Sequence, residues 1–342
     1  MFGRLKKNDL LYGGKTMFCV KKHHHMRNII FVMALVSVLF LAKTSNGQQE
    51  PQFDFYPYVH MFTNPGYSGM GQAICATLDH RQQWMGFEGN PVTTGFAVSG
   101  FLEGITSGIG LIVLQDKLGY EKNTHIKLSY SYHMDVGDGT LGIGAGLGIK
   151  NKSLNPDQWN TYGSLENPNQ NPYEDPAIPH AGKKMAFASS LGAFYLTDYL
   201  YAGLGIDNLI QSKLNYETGK EYFLKRHYYL TAGYYYTLPN PVYEIRPSIF
   251  ISSDGVVNQY TLGASLLYNK AISGGIGYRF GDSFIIHAGY VFPFNMTIAL
   301  AYDVSLSKLS KYNNGSFEVV LNYCFNLSMS SGRGGYKSVR LL

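Results

Sequence analysis

From Gly71 onward, apolar and polar residues alternate with a period of two, the pattern of a strand whose two faces meet different surroundings. In Thr124 to His133, Ile126, Leu128, Tyr130 and Tyr132 share one face, and His125, Lys127, Ser129, Ser131 and His133 share the other. Phe294 to Ser305 repeats the pattern, with Phe294, Met296, Ile298, Leu300, Tyr302 and Val304 set against Asn295, Thr297, Ala299, Ala301, Asp303 and Ser305. Phe317 to Phe325 does so again, with Glu318, Asn322 and Cys324 on the polar side. Fourteen such segments are expected, near 71–80, 92–103, 106–115, 123–134, 140–150, 184–196, 199–208, 226–237, 243–253, 258–268, 270–280, 283–292, 294–305 and 315–326. Each is about the roughly 9–11 residues that a tilted strand needs to cross a bilayer. In lipid every backbone N–H and C=O must find a partner within the protein, so strands of this kind must close on themselves. The expected fold is therefore all-β, a transmembrane outer-membrane β-barrel of about fourteen antiparallel strands, within a range of roughly twelve to sixteen.

The connections give an independent test, because bacterial barrels have short turns at the periplasmic end and longer loops outside. If the first strand runs outward, the even-numbered turns are short: 103–105, 135–139, 197–198, the residues around Pro239, Asn269 and Pro293. The odd-numbered ones include 81–91, 116–122, 151–183, 209–225 and 306–314; the connections after 253 and 280 are short and fit less well. The rival is a soluble two-domain β-sandwich divided at the proline-rich 151–183 stretch. Against it, the apolar faces keep a similar height on both sides of that stretch. Tyrosines also gather at strand ends, where an apolar ring with a polar hydroxyl suits a membrane boundary.

Composition fits the barrel. Aromatics make up 15% of the 342 residues, with 28 Tyr against 2 Trp, and charged residues only 15%. A mean hydropathy of −0.11 excludes a polytopic helical membrane protein but not a barrel, in which only alternate residues face lipid. The net charge of +5 is confined to the start of the chain. Residues 1–47 hold eight Lys/Arg against one Asp, leaving 20 basic and 22 acidic residues in the rest. Nothing in that balance supports nucleic-acid binding. Residues 29–42 form a 14-residue apolar run preceded by Lys21, Lys22 and Arg27 and followed by the small Ser45 and Gly47. This reads as a secretory signal peptide over 1–47 with an extended basic region, the true start being Met1, Met17 or Met26. The expected division is then a 48–70 periplasmic or N-terminal segment, a 71–327 barrel and a 328–342 C-terminal tail.

Candidate chemistry is sparse. Gly142, Gly144, Gly146 and Gly148 alternate along one strand, so they are no phosphate-binding loop, which needs a strand-to-helix turn. They form a lumen-facing stripe that leaves steric space for a close neighbour, such as an inward-folded loop or the mature N-terminal segment. His133, Asp135 and Asp138 form a loose acidic group at a turn and lack the convergence a metal site requires. No nucleophile elbow, zinc-protease helix or calcium loop is present. Neither catalytic, cofactor-binding nor metal residues are expected, and the protein is read as no enzyme. An outer-membrane hydrolase remains a third reading, with His80, His125, His133, His227 and His287 available to it. Asp79, Arg81 and Trp84 lie where the first strand leaves the membrane; they are read as a partner-contact or lumen-gating cluster, or as a solvated loop with an interfacial Trp anchor. Trp159 and Tyr162 in the long 151–183 loop are further partner-contact candidates. Cys75 and Cys324 fall in the first and last strands, neighbours in a closed barrel, so a disulfide between them is a hypothesis that a reductant-insensitive gel mobility would oppose.

Residues 52–91 carry a more specific signal: a Gln52-Phe53 start, an Asn64-Pro65-x-Tyr67-x-Gly69 turn, an Arg81-x-x-Trp84 pair and Pro91-x-Thr93. Asp116 to Gly119, Tyr130-Ser131-Tyr132 and Leu141 to Gly144 follow in order, then Leu309-x-x-Tyr312-x-x-Gly315-Ser316-x-Glu318. This succession resembles the PorP/SprF family of outer-membrane proteins tied to type IX secretion and gliding in Bacteroidetes. The 328–342 tail departs from the family, whose members end near the last strand. The resemblance implies a non-enzymatic barrel in the outer membrane, surrounded by its lipids. It also implies partners: type IX components, including a periplasmic lipoprotein ring, and a secreted adhesin or other cargo with a C-terminal sorting domain. A passive porin-like solute channel is the alternative.

Overall fold

A computed structural model describes residues 50–154, 182–215 and 221–325. Most of the described residues after 73 lie in one antiparallel sheet. Its strands are β1 (Ile74–Gln82), β2 (Val92–Leu102), β3 (Ser107–Leu118), β4 (Glu121–Val136), β5 (Gly139–Leu154), β6 (Gly182–Leu196) and β7 (Leu200–Asp207). A small hairpin, β8 (Lys213–Asn215) and β9 (Glu221–Phe223), stands apart from it. The sheet resumes with β10 (His227–Tyr234), β11 (Tyr236–Thr237), β12 (Tyr243–Ser253), β13 (Asn258–Tyr268) and β14 (Ile272–Arg279). It ends with β15 (Ser283–Val291), β16 (Met296–Ser305) and β17 (Ser316–Phe325). Within the sheet consecutive strands pair, except that β7 pairs with β10 across the small hairpin and both β10 and β11 pair with β12. β1 also pairs with β17, setting Cys75 opposite Cys324 and Arg81 opposite Glu318, so the sheet closes.

β10 and β11 are two parts of one barrel strand. Both pair with β12 in a continuous register, Gly233 opposite Ser248 and Tyr236 opposite Ile245. The ladder lapses between them at Pro247, which has no N–H to donate. Counted so, the barrel has fourteen strands, and each of the fourteen expected segments overlaps one. Three strands outgrow expectation: β4 and β5 have 16 residues each and β6 has 15. Continued pairing of β3 and β4 through Leu118 and Glu121 reduces the expected 116–122 loop to a turn at Gly119 and Tyr120.

The alternation settles which side faces what. On β4, Ile126, Leu128, Tyr130 and Tyr132 are exposed outward, whereas His125, Lys127, Ser129, Ser131 and His133 are buried inside. The outward set continues around the wall with Leu78, Phe96, Ile143, Leu147, Leu191, Leu204, Leu230, Leu262, Ile276, Ile286 and Leu300. Exposed apolar surface on this scale, encircling a closed sheet, is the lipid-facing belt of a membrane barrel. The two ends differ as expected: one mouth carries the turns at 103–106, 137–138, 197–199, 238–242, 269–271 and 292–295. The other carries the longer connections 83–91, 208–226 and 306–315, together with short ones at 119–120, 254–257 and 280–282.

The hydrophobic core lies in the lumen. Phe53, Phe55, Val59, Met61 and Phe62 cluster there with Ala97, Ile112, Leu114, Ile285, Ala299, Ala301 and Val320 from the wall. The sequence pattern alone gives residues 48–70 as a periplasmic or N-terminal segment. The structure instead places residues 50–73 inside the barrel, where five large apolar side chains leave water.

Candidate functional site: the filled lumen

Residues 50–73 form a strap along the lumen, irregular except for one helical turn, α1 (His60–Thr63), and a 3-10 turn at Pro65–Tyr67. Irregular backbone at membrane depth requires partners from protein, and the polar inner faces of the strands supply them. Asn64 donates from its amide to the carbonyls of Ala193 and Leu204 at 3.0 and 3.1 Å, while its side-chain oxygen accepts from Gly66 N–H and so builds the turn. The Ser131 hydroxyl donates to the Gly66 carbonyl at 3.0 Å, and His133 Nε2 donates to that of Ser68 at 2.9 Å. His133 thus belongs to the strap's support, while Asp135 and Asp138 stay exposed beside the turn.

The glycine stripe has its neighbour. A Cβ on Gly142 would lie 2.3 Å from the Gly66 carbonyl oxygen, and one on Gly144 2.5 Å from that of Pro65. These are backbone contacts with no side chain to move aside. Gly146 and Gly148 crowd their own barrel neighbours instead, Ser190 and the Ile126 carbonyl. Aromatic rings fill the wider part of the lumen. Phe53 stacks on Phe62 with centroids 5.3 Å apart, Tyr56 on Phe250 at 5.1 Å, and His60 touches Tyr67, Phe194 and Tyr201.

Two ion-pair clusters hold the strap. In the first, the Arg81 guanidinium pairs with Asp54, with Asp303 at 2.6 Å and with Glu318 at 2.8 Å. Arg279 pairs with the other oxygen of Asp54 at 2.6 Å and with Asp303 at 3.2 Å. Glu318 also accepts the backbone N–H groups of Asp54 and Phe55 at 2.8 and 2.9 Å. All these side chains are essentially shut off from solvent. The guanidinium groups of Arg81 and Arg279 offset the cost of burying the Asp54 carboxylate. In the second cluster Lys150 pairs with Glu50 and reaches Asp207 at 3.7 Å, while Lys127 reaches Asp207 at 3.6 Å. Asn208 donates to Glu50 at 3.2 Å. Lys150 likewise offsets the burial of Glu50.

These positions alter the reading of the candidate residues. Asp79 and Arg81, expected to touch a partner outside or to gate the lumen, face the lumen and are buried, because residue 79 and residue 81 fall on the inner face of β1. An outside partner cannot reach them. Neither Asp79 oxygen has a hydrogen-bond partner among the described residues. Trp84 lies half-buried just beyond β1, its backbone N–H donating to the Ser316 hydroxyl. Trp159, Tyr162 and the 328–342 tail lie outside the described residues, as does the expected leader. Cys75 and Cys324 are joined as a disulfide between β1 and β17. The sequence marks Glu318 only as part of the closing motif, and gives Asp54, Arg279, Asp303, Glu50, Lys150 and Asp207 no site role. Asp303 and Glu318 did sit on the polar faces of their strands, and a charge at a lumen position is the signal that would have found them. Among the described residues no group of His, Cys, Asp and Glu is arranged to hold a metal ion.

Solved structures with a similar fold are outer-membrane barrels. The Ralstonia pickettii toluene transporter TbuX is 13% identical, covering 79% of this chain and 93% of its own, with a TM-score of 0.45. The P. putida toluene transporter TodX is 12% identical, with coverage of 81% and 95% and a TM-score of 0.45. The Acinetobacter baumannii outer membrane protein Omp33 is 9% identical, with coverage of 75% and 100% and a TM-score of 0.42. No curated protein matches the chain. The family described as type IX secretion system membrane protein PorP/SprF matches residues 45–323, most of the chain, and the protein belongs to that family.

Proposed function

We propose that this protein is a non-enzymatic outer-membrane barrel of the type IX secretion system, supporting export or surface attachment of proteins with C-terminal sorting domains such as adhesins. The observation that carries this reading is the continuous family match over 45–323, from the strap through the last strand. Its working partners are then the type IX components, including the periplasmic lipoprotein ring, and one or more cargo proteins. They meet the protein at its mouths, since the lumen is occupied by residues 50–73.

That occupation also weighs against a passive solute channel. The space left between the strap and the β10–β14 wall, lined by Tyr56, Tyr201, Tyr235, Arg246 and Ser248, is about 50 Å³. This is room for a few waters. The deciding experiment compares the surface and secreted proteomes of a strain lacking the gene with those of its parent. Loss of every sorting-domain protein makes this a core component, and loss of a single adhesin makes it a dedicated partner. Unchanged proteomes together with reduced small-solute uptake would overturn the proposal in favour of the channel.

A further inference from the structure

The contacts of the strap climb the lumen in order. Ser68 meets His133, Gly66 meets Ser131 and the Phe62 carbonyl accepts from Lys127 at 3.4 Å, so falling strap number follows falling number along β4. β4 begins at Glu121, at the mouth that carries the longer connections, and ends at Val136 beside the short 137–138 turn. The strap therefore starts its climb near the short-turn mouth, where Ile74 opens β1, and proceeds away from it as its residue numbers fall. Asp54 reaches Arg81 and Arg279, the next-to-last residue of β1 and the last of β14, both at the long-connection mouth. Glu50 reaches Lys150 near the far end of β5 and Asn208 just past the end of β7. Lumen and strap thus run the same length in opposite senses to β1.

We propose that the amino end of the processed protein is delivered through its own barrel to the outer face of the membrane, so that the chain starts at the cell surface although its first strand starts at the periplasmic mouth. This rests on the outer-membrane reading with short turns on the periplasmic side. The geometry makes removal of the leader a condition of the native fold. With residues 29–42 still held in a membrane on the periplasmic side, the seven residues 43–49 reach at most about 25 Å. The nine residues of β1 alone rise about 30 Å along the strand. A tethered amino end cannot cross both the lumen and the periplasm. A free one can be enclosed while the sheet closes around it, and two ion-pair clusters near the far mouth then fix it there.

The test uses the full-length protein in intact cells, with one epitope per variant: between Gln49 and Glu50, at Gly255 in the 254–257 turn, or at Asp138 in the 137–138 turn. Heat-modifiable gel mobility establishes that each barrel is folded. A Pro51→Cys variant, probed with a membrane-impermeant maleimide, gives a second reading free of the inserted epitope. The native Cys75 and Cys324 are bonded to each other and do not compete. Antibody should reach the amino-end and Gly255 epitopes without permeabilisation and the Asp138 epitope only after it, and the maleimide should label position 51 from outside. If the amino end and position 51 behave like Asp138 while Gly255 is reached from outside, the threading is refuted and the orientation stands. If Gly255 and the amino end are both shielded while Asp138 is reached, the surface location is refuted together with the orientation on which it rests.

Discussion

Replacing Arg81 by methionine removes the guanidinium that Asp54, Asp303 and Glu318 share. Arg279 still reaches Asp54 and Asp303, but Glu318 keeps only the backbone N–H groups of Asp54 and Phe55. Three carboxylates sealed from water then face one cation, with the unpartnered Asp79 also on the inner face of β1. Removing one member of a buried ion pair costs about 3–5 kcal/mol, chiefly because a charge remains without compensation. Against a total stability of about 5–15 kcal/mol this is a large fraction. Because the cluster is buried, the loss should be nearly the same at low and high salt, unlike that of a surface pair. The assay is urea unfolding of the refolded barrel in detergent micelles, followed by heat-modifiable mobility and aromatic fluorescence. Arg81→Lys should recover only part of the loss, since an ammonium cannot serve three carboxylates with a planar fork. Combining Arg81→Met with Asp54→Leu should cost less than the sum of the two single variants, as expected for partners in one network. A loss below about 1 kcal/mol for Arg81→Met, or strict additivity with Asp54→Leu, would refute the view that this cluster holds the strap.

Further outcomes follow from the same arrangement. Gly144→Val places branched carbon where the Pro65 carbonyl lies 2.5 Å from a modest Cβ, so the strap should be displaced at a cost of about 1–3 kcal/mol while the ladder survives. In planar bilayers the wild-type barrel should be silent and this variant conducting; a silent, folded variant would count against the strap as the seal. Reduction, or Cys75→Ser with Cys324→Ser, should shift gel mobility after unfolding. It should destabilise the barrel by no more than about 2–4 kcal/mol, because nine residue pairs still join β1 to β17.

Period-two alternation was legible along the chain because it is a local property: on β4 and β16 the apolar face expected from the sequence is the exposed one, and the polar face is buried. Strand number, antiparallel order and the two unlike mouths come from the same pattern together with turn residues. The glycine stripe at 142–148 announced that something lay against it. The mature N-terminal segment was one of the two neighbours the stripe allowed, but the contacts themselves were not legible, since Gly144 meets Pro65 and Gly205 meets Thr63 across separations that no local pattern encodes. Residues 50–73 have neither helical nor strand periodicity, so their path through the lumen cannot be read from their own pattern. Asp79 and Arg81 read as a rim cluster because the alternation predicts a first strand ending at His80, whereas β1 continues to Gln82 and keeps both side chains on the inner face. Tertiary structure alone decided that the lumen is filled, where Asp54 meets Arg81, Arg279 and Glu318, and at which mouth the strap ends. Closure of the sheet is what brings residues 54, 81, 279, 303 and 318 within reach of one another, and only there do buried charges need these particular partners.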